Sequence, residues 1–195
     1  MDRTISLLAQ KIFQHHTKLL RVVTCIAKFG YWLYILYGLV EWCRPGTWQQ
    51  RLQRRHRLLY CIAAVAFGST ISFVLGRFWK RERPFVTHRD IRDILPHKAN
   101  ASFPSNHSMN SMAASTMMLH FHNWWGLPFF CWSLVIGASR IACGLHYASD
   151  VLGGFAMGAV STGIIRNSAA ARKGIYRISW VGHVLSEIIR IGRKV

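Results

Sequence analysis

The stretch from Leu58 to Trp79 constrains this chain more than any other, because it carries no charged residue until Arg77. A run of about 20 apolar residues is what an α-helix needs to cross the hydrocarbon of a bilayer. Backbone in that setting must satisfy its own hydrogen bonds, and a helix does so within one segment. Composition supports the same reading. Of the 195 residues 51% are hydrophobic, yet the formal net charge is +18. A soluble basic protein spreads its apolar residues with a period, whereas here they are gathered into blocks with the basic residues mainly between them. No basic module separates from those blocks, which argues against nucleic acid as the partner. Anionic lipid headgroups or a phosphorylated substrate suit the charge better.

The length predicts one domain, 1–195. Its expected parts are an amphipathic surface helix over 1–17, a core over 58–165 and a basic amphipathic tail over 169–195. In the first part Ile5, Leu8 and Ile12 recur at helical spacing with Lys11 among them, too polar to span. A first span is expected from Leu19 to Trp42, then a polar loop from Arg44 to Arg57. The second span is Leu58 to Trp79, and a long polar stretch runs from Lys80 to Asn106. Spans three, four and five fall at Ser108–Phe121, Leu127–Ala142 and Val151–Ile165. His120, His122, Trp124 and Trp125 mark a membrane interface. Gly154 and Gly158 give the fifth span a face for close packing. In the tail Ile178, Val181, Leu185 and Ile188 suggest a second surface helix. The fold class is therefore all-α, a polytopic membrane helix bundle of five or six membrane helices with an N-terminal surface helix. Five cysteines with no C-x-x-C pair read as small buried hydrophobes rather than disulfides or zinc ligands.

Alternation of spans puts the Lys80–Asn106 and Ala142–Asp150 loops on one side of the membrane. The Arg44–Arg57 loop and the tail lie on the other. That second side holds Arg44, Arg51, Arg54, Arg55 and Arg57, so it is expected to be cytoplasmic. Three polar clusters then meet on the outward side. K-R-E-R-P-F-V ends in Arg83 and Pro84, with the proline expected to stop the helix. S-F-P-S-N-H-S leads into a helix start, where backbone amides can hold an anion beside Ser105, Asn106 and His107. S-R-I-A-C-G-L-H-Y-A-S-D carries Arg140, His146 and Asp150, the last two spaced to pair if both are helical. Each cluster alone reads as an ordinary headgroup contact or helix cap. Together they make a phosphate site with a nucleophile and an acid, and without the carboxylate cluster that Mg²⁺ requires.

The order R-P, P-S-x-H and S-R-x-x-x-x-x-H-x-x-x-D resembles the type 2 phosphatidic acid phosphatase superfamily over about residues 58–165. R-P-F-V and L-P-H-x-x-x-x-S-F-P-S-x-H are similar to its bacterial undecaprenyl-diphosphate phosphatase branch, the bacitracin-resistance type. The resemblance implies that Arg83, Arg140, Ser105 and the amide of Asn106 hold phosphate. It further implies that His146 forms a phosphohistidine, Asp150 orients it and His107 serves as acid and then base. Two positions depart from the family pattern. Gly76 stands where a lysine is common, which makes Arg77 and Lys80 the supporting basic candidates, with His97 as a further headgroup contact. Asn106 stands where Gly or Asp is usual.

The resemblance leads us to expect a metal-independent phosphatase without cofactor. It acts on a polyprenyl diphosphate lipid from the outer face of the bacterial cytoplasmic membrane, and so recycles the cell-wall carrier. Enzymes for phosphatidic acid, phosphatidylglycerol phosphate or lipid A phosphate share the motifs. A lipid or drug transporter is the reading from another class; against it, the spans lack a central charge pair and the halves show no repeat. Oligomeric state and prenyl chain length are not legible in the sequence.

Overall fold

A computed structural model describes residues 2–14 and 16–192, with side chains given to Ser186 except that of Gln14. Among the described residues there are helices and no strand. They are α1 (Asp2–Gln14), α2 (Thr17–Phe29), α3 (Trp32–Cys43), α4 (Trp48–Phe78), α5 (Pro84–Thr87), α6 (Asn106–His120), α7 (Gly126–Ala142), α8 (Ala148–Asn167) and α9 (Ala169–Gly192). α4 and α8 are each long and apolar enough to cross a membrane. α2 and α3 have the length and apolar character for a crossing only as a pair, bent by 53° at Gly30–Tyr31. The shorter α6 and α7 pack among them, so five helical elements build an all-α membrane bundle.

Three boundaries differ from the sequence expectation. The first span is broken rather than continuous. The expected loop before the second span is largely helix, because α4 begins at Trp48. Its start is fixed by Thr47, whose hydroxyl accepts the Gln50 amide while the Gln50 side chain accepts the Thr47 amide at 3.0 Å, a reciprocal cap readable as T-x-x-Q. Pro84 does not stop α4, which ends at Phe78. It opens the one-turn α5 at a position where its missing N–H costs nothing.

Small residues set how closely the helices approach. A Cβ added to Gly154 would lie 2.7 Å from the Ser105 carbonyl, and one at Gly158 would overlap the Met109 carbonyl. α8 can therefore lie directly on α6. Hydroxyls tie the same pair: Thr116 and Thr162 meet at 2.9 Å, and Thr162 donates to the Ala113 carbonyl.

The two flanking helices turn their apolar stripes outward. In α1, Ser6 and Gln10 are buried while Ile5, Leu8 and Ile12 are exposed. In α9, Ile175, Ser179 and His183 face inward against α4, and Ile178, Val181 and Leu185 face out; the side chain of Ile188 lies outside the described residues. The expectation of buried cysteines is likewise corrected. Cys143 is buried, but Cys25, Cys43 and Cys131 are exposed. When the solvent is lipid, an apolar side chain gains little by turning inward, and small polar groups that can pair take the interior instead.

Candidate active site

All three polar clusters converge at one end of the bundle, where backbone hydrogen bonds stitch their loops together. The Ser102 amide donates to the Arg81 carbonyl at 2.8 Å and the Ser105 amide to the Asp150 carbonyl at 3.0 Å. The segment that carries His146 turns at Gly144, whose φ is +74°. A side chain there would be strained and would also meet the Arg92 carbonyl and the Gln10 side chain.

His146 is 3% exposed and sits just ahead of α8 rather than within it, since Tyr147 is the N-cap. The helical pairing expected with Asp150 is therefore replaced by another geometry. His146 Nδ1 lies 2.7 Å from the Ser102 carbonyl, and Asp150 Oδ2 is farther away at 3.8 Å. A carbonyl accepts only, so Nδ1 carries the proton and Nε2 keeps its lone pair. Nε2 faces Arg83 Nη1 at 3.2 Å. Burial pushes the His146 pKa down to about 4; the Asp150 contact opposes this, while the Arg83 and Arg140 cations add to it. The ring is thus a neutral imidazole at physiological pH, its Nε2 lone pair turned toward the Arg83 guanidinium.

Asp150 is fully buried. Its Oδ2 accepts the Ser102 hydroxyl at 2.5 Å and the Tyr147 amide at 2.9 Å, and Oδ1 accepts Arg81 Nη1 at 2.7 Å. Arg81, Ser102 and Asn100 received no role from sequence. Arg81 had a signal, because residues two apart in extended chain point to the same side, and Arg81 shares K-R-E-R-P with Arg83. Asn100 lies in a polar loop without a pattern, yet its side-chain oxygen accepts both Arg83 Nε at 3.0 Å and Nη2 at 2.8 Å.

Arg83 and Arg140 are 4% and 3% exposed, and neither forms an ion pair with a described carboxylate. Arg83 also donates to the Leu145 carbonyl, and Arg140 to the Ala27 carbonyl at 2.8 Å. The buried Arg140 Nε has no hydrogen-bond partner among the described residues. Burying a guanidinium costs several kcal/mol unless an anion answers it. Ser105 is buried at the N-cap of α6 without capping it through its side chain, so the first-turn amides of Asn106 and His107 are left for another acceptor. His107 lies within electrostatic reach of Arg140, His146, His97 and Arg83. Its ring meets Tyr31 edge-on at 5.5 Å, a contact made by the α2–α3 break and invisible in sequence.

The supporting candidates separate. His97 stands at the rim, its amide bound to Asp93 Oδ2 at 2.8 Å, and partial burial and the Arg83 and Arg140 cations lower its pKa against the pull of the Lys98 carbonyl. Arg77 and Lys80 are exposed and take no part; Arg77 lies over the Phe73 ring instead. They follow the outward face of α4 and the chain just beyond it, whereas Arg81 turns inward. Asp90 pairs with Arg3 at 2.7 Å, so Asp90 and Asp93 serve different partners.

From this polar centre a groove of about 790 Å³ runs between α3, α4 and α6. Asn106, His107 and Tyr31 stand at one end and Trp42 and Leu58 at the other, with Leu39, Ile62 and Val65 among the walls. Eleven residues of helix from Trp32 to Trp42 correspond to roughly 16 Å.

The sequence profile of the PAP2 superfamily matches residues 57–173, well over half of the chain. The chain belongs to the PAP2 superfamily. Among curated PAP2 relatives, undecaprenyl-diphosphatase BcrC of Bacillus subtilis is 34% identical over 140 residues, covering 71% of this chain and 69% of that protein. Putative undecaprenyl-diphosphatase YbjG of Escherichia coli is 31% identical over 115 residues, 58% of each. Phosphatidylglycerophosphatase B of Bacillus subtilis is 34% identical over 113 residues, 48% of this chain and 50% of its own. Two solved structures share the fold. Aquifex aeolicus LpxE superposes with a TM-score of 0.68 at 22% identity, over 84% of this chain and 93% of its own. The transmembrane PAP2 type phosphatidylglycerolphosphate phosphatase from Bacillus subtilis gives 0.62 at 24% identity, over 85% and 82%. This PAP2 protein is thus a membrane-embedded phosphatase of that superfamily.

Proposed function

We propose that this PAP2 phosphatase removes the terminal phosphate of undecaprenyl diphosphate and leaves undecaprenyl phosphate. The observation that carries the reading is the pair of buried arginines, Arg83 and Arg140, without a carboxylate partner among the described residues, beside a neutral His146, at the head of an apolar groove. A diphosphate answers the charge and a long hydrocarbon chain fits the groove. The similarity to undecaprenyl-diphosphatases supports the choice among lipids.

In this reading His146 Nε2 attacks the terminal phosphorus as the bond to the bridging oxygen breaks, giving a phosphohistidine and the lipid monophosphate. His107 protonates the departing oxygen and then takes a proton from the water that cleaves the phosphorus–nitrogen bond, releasing inorganic phosphate. Arg83, Arg140, Ser105 and the Asn106 amide balance the phosphoryl charge. Asp150 and the Ser102 carbonyl orient the imidazole. The active site opens to the outer face of the cytoplasmic membrane, so the product re-enters cell-wall synthesis and bacitracin loses its target.

The test is phosphate release by the purified protein from undecaprenyl diphosphate, phosphatidic acid, phosphatidylglycerol phosphate and a lipid A phosphate, with excess chelator and with or without vanadate. The diphosphate is expected to give the highest kcat/KM, unaffected by chelator and blocked by vanadate. A higher value on another lipid moves the substrate assignment to that lipid. Loss of activity in chelator with recovery in Mg²⁺ overturns the phosphohistidine route.

A further inference from the structure

Arg81 contacts none of the groups proposed to hold phosphate, yet its guanidinium is fully engaged beside them. Nη1 donates to Asp150 Oδ1 at 2.7 Å and to the Ser149 hydroxyl at 2.7 Å. Nη2 donates to Asp2 Oδ2 at 2.9 Å, and the guanidinium lies 4.3 Å from the centre of the Tyr147 ring. Asp2 in turn accepts the Ser149 amide at 3.3 Å and the Ser149 hydroxyl. One guanidinium therefore bridges a fully buried carboxylate next to His146 and a carboxylate in the first turn of α1.

α1 is latched to the same rim at two further points. Arg3 pairs with Asp90 at 2.7 Å. The Gln10 side chain donates to the Arg92 carbonyl at 2.7 Å and accepts the Arg92 amide at 3.1 Å. Its outer face, with Leu8 and Ile12, is apolar and exposed, suited to the membrane interface.

We propose that Arg81 is a positioning residue for the phosphatase reaction, held by Asp2, so that docking of α1 against the membrane-facing rim tunes the catalytic carboxylate. The proposal rests on the reading that His146 is the nucleophile and Asp150 its partner. Asp150 faces Arg81, His146 and Arg83; His146 faces Asp150, Arg83, Arg140 and His107. Arg81 saturates Oδ1 and neutralises Asp150, while Ser102 and the Tyr147 amide hold Oδ2. Without Arg81 the carboxylate is freer to rotate and draws more strongly on a proton at His146. The neutral imidazole would then be lost at higher pH, with Arg83 and Arg140 unchanged.

The experiment measures kcat, KM and pH profiles of the purified full chain and of Arg81→Ala, Arg81→Lys, Asp2→Asn and Asp2→Asn with Arg81→Ala. Phosphatidic acid and undecaprenyl diphosphate are run side by side. Loss of one charge-assisted hydrogen bond should lower kcat of Arg81→Ala about tenfold or more with KM little changed. Its acid limb should move toward neutral pH, and Arg81→Lys, which keeps the charge without the fork, should recover only part of both effects. Asp2→Asn should lose about threefold, and the double variant should be no worse than Arg81→Ala alone. Unchanged kcat, or losses that add without movement of the acid limb, overturn the proposal. Should Arg81→Ala fail to fold, Arg81→Lys and Asp2→Asn carry the same comparison, with the thermal midpoint of each checked in detergent. A wild type that hydrolyses phosphatidic acid but not the diphosphate removes the substrate assignment while the Arg81 comparison still reads on phosphatidic acid.

Discussion

At the scale of single residues the deciding feature is the state in which His146 is held. Its Nδ1 proton is committed to the Ser102 carbonyl, so the lone pair on Nε2, the nucleophile of the proposed reaction, does not depend on a direct bond to Asp150. His146→Ala should reduce phosphate release by about 10⁴-fold or more, since no other group replaces a covalent nucleophile. Because burial brings the His146 pKa down to about 4, the acid limb of kcat/KM for the wild type should lie well below the ordinary histidine range. A limb near 6.5, the usual histidine value, would show that the imidazole is not held in this way. The same shift bears on stability. Between the unfolded value near 6.5 and the folded value of about 4, the unfolded chain binds the proton and the folded protein does not. This site's contribution is complete above that window and falls as pH drops through it. Thermal midpoints of wild type and His146→Ala should therefore converge on acidification.

Among the elements, the contact between α6 and α8 carries the site, since Asn106 and His107 belong to one and Asp150 to the other. Gly154 and Gly158 allow that approach, and nothing larger fits without moving backbone carbonyls. Gly158→Leu should destabilise the bundle by about 1–3 kcal/mol, the usual cost of overpacking, read as a lower thermal midpoint in detergent. Gly163, on the same helix with nothing near its missing Cβ, should accept alanine without loss. An equal loss at both positions would mean that helix propensity, not interhelical distance, sets the effect. The α2–α3 break has the opposite role. By bending the first crossing it brings Tyr31 over His107 and opens the groove beside α3.

For the whole molecule, the arrangement of ends defines two faces. The catalytic clusters, α1 and the Asp90–Asp93 segment share one end. The reciprocal cap at Thr47 and the basic start of α4, which packs on α9 through His56 and Ser179, share the other. The outward orientation proposed for this end predicts that a cysteine at Arg89 reacts with an impermeant thiol reagent added to intact cells. One at Gln49 should not, both in a background lacking native cysteines. The reverse pattern would place the catalytic end in the cytoplasm and remove the recycling role at the outer leaflet.

The all-α bundle, the helices near Ser108–Phe121, Leu127–Ala142 and Val151–Ile165, and the grouping of Arg83, His107 and His146 at one end were determined by sequence alone. Hydropathy blocks must become helices in lipid, and alternation then decides which loops meet. The basis of that legibility is local: each inference used residues a few positions apart or the length of a run. Tertiary structure decided what depends on distant segments. Asp150 answers Ser102 and Arg81 more closely than His146 because α8 starts at Ala148, which leaves His146 ahead of the helix and out of the expected pairing. Arg81 rather than Arg77 or Lys80 turns inward because α4 ends at Phe78 and the chain beyond it is extended. Asp2 and Asp150 lie far apart in the sequence and share one guanidinium, and no spacing rule connects residues so distant. Only folding brings their charges within reach.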